Sequence, residues 1–131
     1  MKRFSMCLML LLLAVALGCD DDGGAGGMVL AQGTKTITTG GDVTVVEVDV
    51  TEPGTLRGEI SWTGDPTEMV TTFLHIAPSD ILGLVHSPSP VVATVAVTSA
   101  RVAAGHGWRF IAMNSAGPDV SVSYTITFAP D

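Results

Sequence analysis

The sequence predicts an all-β fold, one small antiparallel β-sandwich or barrel of about 100 residues preceded by an export signal and a tether. Three observations carry this expectation. From Thr34 onward, short runs rich in Val, Thr and Ile are separated by Gly, Pro, Asp and Ser, at the roughly ten-residue spacing typical of such folds. The last run alternates strictly, with Val120, Val122, Tyr124, Ile126 and Phe128 interleaved by Ser121, Ser123, Thr125 and Thr127. That is the period of a strand with one buried and one wet face. No stretch after Thr34 has a convincing helical period.

The chain opens with Lys2 and Arg3, continues through an uncharged apolar stretch over residues 4–17, and then meets Gly18, Cys19 and the aspartates Asp20, Asp21 and Asp22. A basic start, a short apolar run and a small residue at the junction are the layout of a signal peptide. The run is about 21 Å long as a helix, short of the roughly 20 residues that span a bilayer core. Its end, Val15-Ala16-Leu17-Gly18-Cys19, resembles the lipobox of bacterial lipoproteins, in which small and aliphatic residues precede a cysteine that is lipidated before cleavage. The resemblance implies a lipoprotein signal peptide over residues 1–18 and lipidation of Cys19 with acyl chains such as palmitate. Ala14-Val15-Ala16 is also an acceptable Ala-x-Ala site, which would mean plain secretion.

Cysteine usage favours the lipid. Cys7 lies inside the apolar run and leaves with it, so Cys19 alone remains and no intramolecular disulfide forms. An exported protein with one unpaired thiol carries a reactive liability, which a thioether to lipid removes. With each buried methylene contributing about 0.8 kcal/mol, two or more acyl chains hold a protein stably at a membrane. The expected location is the extracytoplasmic side of a bacterial cell envelope, with no choice between inner and outer membrane.

Residues 19–33 are the expected tether. Asp20-Asp21-Asp22-Gly23-Gly24-Ala25-Gly26-Gly27 and the residues up to Gly33 have a composition that cannot bury a core. Without the signal, Lys35, Arg57, Arg101 and Arg109 face all 13 acidic residues, a net charge of roughly minus 9 that opposes phosphate backbones. No nucleic-acid partner is expected. The same charge disfavours anionic headgroups, leaving the lipid to hold the membrane.

The folded part is expected over residues 34–131. Val46, Val48 and Val50 alternate with Glu47 and Asp49, while Val43 and Val45 fall on the opposite parity, which predicts a bulge or strand start near Val45. Leu56, Gly58, Ile60 and Trp62 alternate with Arg57, Glu59, Ser61 and Thr63. Further strands are expected over residues 69–77, 91–101 and 107–114. Pro78, Pro88 and Pro90 make residues 78–90 a connection with at most a short edge strand.

Three segments share a likeness: Pro53-Gly54-Thr55-Leu56-Arg57-Gly58-Glu59-Ile60-Ser61-Trp62, Ala104-Gly105-His106-Gly107-Trp108-Arg109-Phe110 and Val122-Ser123-Tyr124-Thr125-Ile126. In this order and spacing they make residues 43–128 resemble the bacterial pre-peptidase C-terminal domain. The resemblance implies a single antiparallel, jelly-roll-like β-sandwich of the kind appended to secreted proteases and other exported proteins, with about seven or eight strands. The family's Asp-Leu-Asp segment is replaced here by Asp65-Pro66-Thr67-Glu68-Met69-Val70.

Candidate chemistry is sparse. His75, His86 and His106 are the only imidazoles, and no two have the close spacing of common metal sites. No Gly-x-Ser-x-Gly elbow exists, and Asn114-Ser115-Ala116-Gly117 reads as a hairpin turn. Glu47, Asp49 and Glu59 fall on wet strand faces, where solvated charge is the ordinary role. Of the six aromatic residues after Thr34, Trp62, Trp108, Phe110, Tyr124 and Phe128 fall on apolar parity and are expected in the core, with Phe73 undecided. No catalytic, cofactor-binding or metal-ligating residue is assigned, and no enzyme is expected. The expected function is a non-catalytic, membrane-anchored envelope lipoprotein acting as an accessory or protein-interaction module. The alternative is a ligand-binding module for calcium or a glycan, with Asp65, Glu68 and Asp80 as candidate calcium oxygens.

Overall fold

The computed structural model describes residues 27–131. Cys19, the predicted signal peptide and most of the predicted tether lie outside the described residues. The elements follow as β1 (Met28–Ile37), β2 (Asp42–Asp49), β3 (Gly54–Ser61), β4 (Met69–His75), β5 (Asp80–Ser87), β6 (Val91–Val97), the short helix α1 (Ser99–Ala104), β7 (Gly107–Met113) and β8 (Val120–Pro130).

Strand faces follow the sequence period. In β3 Gly54, Leu56, Gly58 and Ile60 point inward, in β6 Val91, Ala93, Val95 and Val97, and in β7 Trp108, Phe110 and Ala112. The register between β2 and β7 shifts between Thr44 and Val46, at the bulge expected near Val45. The extra residue lets Val45 be buried while Val46 still lies opposite the inward-facing Phe110.

Two four-stranded antiparallel sheets result, in the orders β1-β8-β3-β6 and β2-β7-β4-β5. Only β4 and β5 are consecutive strands within one sheet; every other connection crosses between sheets. This is the strand order of a jelly roll, an eight-stranded sandwich, as the sequence led us to expect. Side chains from both inner faces form one core, centred on Phe73, Trp108 and Phe110. Phe73 meets Trp108 edge-on at 6.5 Å and Phe110 at 4.8 Å, the offset arrangements that aromatic quadrupoles favour. Gly58 of β3 faces them: a β-carbon there would lie 2.8 Å from both phenylalanine rings.

Several boundaries depart from expectation. The sheet starts at Met28, so residues 28–33 belong to a strand and not to the tether. Backbone pairing with β8 decides this, because β1 buries only Ile37 and has little apolar pattern to read. β5 is a full eight-residue edge strand where only a connection or short edge strand was expected. Its prolines, Pro78, Pro88 and Pro90, all fall outside it. Residues 99–104 form a turn and a half of helix instead of extending β6. Thr98 caps that helix, its hydroxyl accepting from the Arg101 amide at 3.3 Å. Tyr124 is half-buried at the core's margin, whereas Phe73 is fully buried.

Candidate functional site

Because neighbouring strands all pair antiparallel, the β1–β2, β3–β4, β5–β6 and β7–β8 connections gather at one end of the sandwich. The remaining connections, α1 among them, gather at the other end, together with the start of β1. Hydrogen bonds tie each group. At the first end Thr39 donates its amide to Asp119 Oδ1 (2.9 Å) and its hydroxyl to the Gly117 carbonyl (2.6 Å), while the Trp62 amide donates to Ser89 Oγ (2.9 Å). At the opposite end the Val50 amide donates to the His106 carbonyl, and the Ile76 amide to Gly107.

The first end holds two hollows. The larger, about 390 Å³, is lined by Asp65, Pro66 and Glu68 of the β3–β4 connection, His86 of β5, and Ser115 and Gly117 of the β7–β8 connection. The smaller, about 270 Å³, lies against Gly40, Gly41, Asp42, Met113 and Asn114. Ser115 borders both. The walls are set by local chemistry. Buried Trp62 donates its indole N–H to the Pro66 carbonyl, holding the β3–β4 loop down. Gly117 sits at φ +92°, a conformation that glycine adopts without strain, and Asn114 Nδ2 donates to Pro118 O at 2.8 Å within the same loop.

Inside the larger hollow His86 Nε2 lies 3.1 Å from Glu68 Oε2, with both side chains about half exposed. Such an exposed pair adds at most about 1 kcal/mol of stability. It leaves the Asp65 carboxylate for a ligand that donates hydrogen bonds or carries positive charge. Among the described residues no hydrogen bond joins Ser115 to His86, so no nucleophile and base are paired there.

The structure separates residues that the sequence left open. Asp65 and Glu68 share the larger hollow, but Asp80 lies opposite His75 at the far end of the β4–β5 hairpin. The three candidate calcium oxygens therefore do not converge, and among the described residues no group of three or more His, Cys, Asp or Glu is positioned for a metal. The three histidines do not come together either. His86 lines the hollow and His106 belongs to the β6–β7 connection. His75 is fully buried, stacked 4.3 Å from the Trp108 ring, with Nε2 2.8 Å from the Gly105 carbonyl. No aromatic residue lines either hollow, so neither offers a stacking platform for a sugar.

Asn114-Ser115-Ala116-Gly117 is not a hairpin turn. It carries the chain from β7 in one sheet to β8 in the other, and that crossing opens both hollows. Its Gly and Ser content marks a turn, but which strands it joins is a property of sheet order, which no local signal encodes. Cys19, the one residue assigned a modification, lies outside the described residues.

No family model matches the chain, and no curated protein matches it in sequence. Among solved structures the fold is similar to that of a mitogen derived from Yersinia pseudotuberculosis, at 18% identity and TM-score 0.57, covering 80% of this chain and 89% of that one. PirA gives 14% identity and TM-score 0.48 over 75% of this chain and 93% of that one. A Bacillus endospore appendage protein gives 9% identity and TM-score 0.42 over 80% and 91%. The mitogen likeness bears on the fold alone.

Proposed function

We propose that this chain is a lipid-anchored, non-catalytic module of a bacterial cell envelope that presents the loop end of a jelly roll to a protein partner. The direction of β1 carries the reading. Met28 pairs with Phe128 at one end of the sandwich and Ile37 with Val120 at the other. A chain anchored through Cys19 enters at the Met28 end, and the ten residues of β1 then rise about 30 Å at the usual strand spacing. The loop end faces away from the membrane.

Strand β1 also shortens the tether. With Met28 already in the sheet, the nine residues from Cys19 to Gly27 can span no more than about 32 Å at full extension. That suffices to clear headgroups while keeping the sandwich near the surface. At the outward end the Asp65 and Glu68 carboxylates suit a partner surface bearing Lys or Arg.

The anchor is tested by the mass of the N-terminal peptide of the membrane-extracted protein. We expect a diacylglyceryl thioether on Cys19, and C19S is expected to leave the membrane fraction. A terminus at Leu17, or an unacylated Cys19, would overturn the anchor. Outward presentation is tested by a photo-crosslinking residue placed at Ala116 or, for comparison, at Ala103. Adducts to one envelope protein from Ala116 alone are expected; equal yields from both positions would sink the reading.

A further inference from the structure

We propose that β1 is an exchangeable strand, able to leave its own β8 and pair in the same register with β8 of a second copy of this chain. The inference does not depend on the lipid anchor, because it rests on how β1 is held.

Strand β1 lies at the edge of its sheet, hydrogen-bonded only to β8. Of its ten residues only Ile37 is buried, and the run from Gln32 to Thr36 is exposed at every position. Both faces of that run are wet, so backbone pairing holds it with little help from side-chain burial. Strands of this two-sided polar kind are the ones prone to alternate pairing and swapping. The next residues supply a hinge. Gly40 sits at φ +90°, and a β-carbon at Gly40 or Gly41 would meet nothing within 4 Å. Opening at Gly40-Gly41 would carry Thr39 along with β1, so its bonds to Gly117 and Asp119 would re-form on the second copy.

The vacated β8 edge selects its occupant. Its backbone groups from Val120 to Phe128 need a partner strand. Opposite Tyr124 that partner is best served by a residue as small as Gly33, since a β-carbon there would lie 3.1 Å from the tyrosine oxygen. It also needs a bulge near Leu30 and an apolar plug where Ile37 is fully buried. A second copy's β1 meets all three requirements. Exchange of an identical element conserves the contacts of the closed form outside the hinge, where the bond from the Gly40 amide to the Asn114 carbonyl is at stake, which makes it a low-cost route to a dimer.

The experiment uses two full-length variants, T34C and S123C, co-expressed and then oxidised. Thr34 and Ser123 are register partners with exposed side chains, so neither change touches the core. A 34–123 disulfide identified by mass necessarily joins two copies, since neither chain carries both new cysteines. We expect it to exceed the off-register pair T34C with S121C roughly tenfold, because pairing fixes which residues meet. Equal yields of the two pairs, or no 34–123 link, would overturn the proposal. A single chain carrying both T34C and S123C provides an independent check. Oxidised, it locks β1 in place and is expected to remain monomeric at concentrations where the unsubstituted protein forms a dimer. An unsubstituted protein that stays monomeric throughout would equally overturn it.

Discussion

Gly58 shows how one residue governs the core. Its place in β3 reads from the sequence as one more inward position between Leu56 and Ile60, yet its absent side chain makes room for two rings from the opposite sheet. Phe73 and Phe110 are both fully buried, so neither ring has solvent to retreat into. Gly58→Ala is expected to destabilise the fold by about 1–3 kcal/mol, the usual cost of overpacking a filled core. Denaturant unfolding measures it, and an unchanged midpoint would mean that the rings have slack. His75 is a second case. A carbonyl only accepts, so its Nε2 donates to Gly105 O, and Nδ1 is buried without a partner among the described residues. Stacking on Trp108 and burial make this imidazole part of the packing, and the course of β4 and β5 sets His86 at the opposite end of the sandwich.

At the scale of elements, the two outer strands β1 and β5 differ in how they are held. β5 pairs only with β4 and bends at Gly83, which sits at φ +65° where β5 comes against β6: a β-carbon would lie 2.8 Å from Val95. Leu82 and Val85 pack on the core, whereas Ile81 and Leu84 are more than 60% exposed. Side chains that point into water contribute little to folding, so the pair Ile81→Lys and Leu84→Lys is expected to change stability by no more than about 0.5 kcal/mol each. The same changes should lower self-association, since charge on an edge strand opposes edge-to-edge pairing. Thermal unfolding and sedimentation check the two parts separately, and a loss above about 2 kcal/mol would show that these side chains are packed.

For the whole molecule, the strand order has a consequence for where the domain begins. A fragment over residues 34–131, the boundary that composition suggests, lacks the part of β1 that pairs Met28, Val29, Ala31, Gln32 and Gly33 with β8. At about 0.5–1.5 kcal/mol net per hydrogen bond, the loss is on the order of 3 kcal/mol relative to residues 27–131. Paired urea titrations of the two fragments test this, with the shorter expected at the lower midpoint; coincident midpoints would mean that β1 adds nothing to the fold.

The sequence by itself determined the β class, the faces of β3, β7 and β8, and the bulge at Val45. Each is written in a period of two, and that period is local. It also supplied the grounds for expecting export and lipidation at Cys19, since an apolar run ending in Gly18-Cys19 is a linear signal. Only the tertiary structure decided that β1 starts at Met28, that β5 is a full strand, and that Ser115 and Gly117 line the hollow that holds Glu68 and His86. The physical reason is common to all three. An edge strand is made by backbone hydrogen bonds to a distant partner, and a loop cleft by the order in which strands are laid side by side, neither of which imposes a pattern on neighbouring residues.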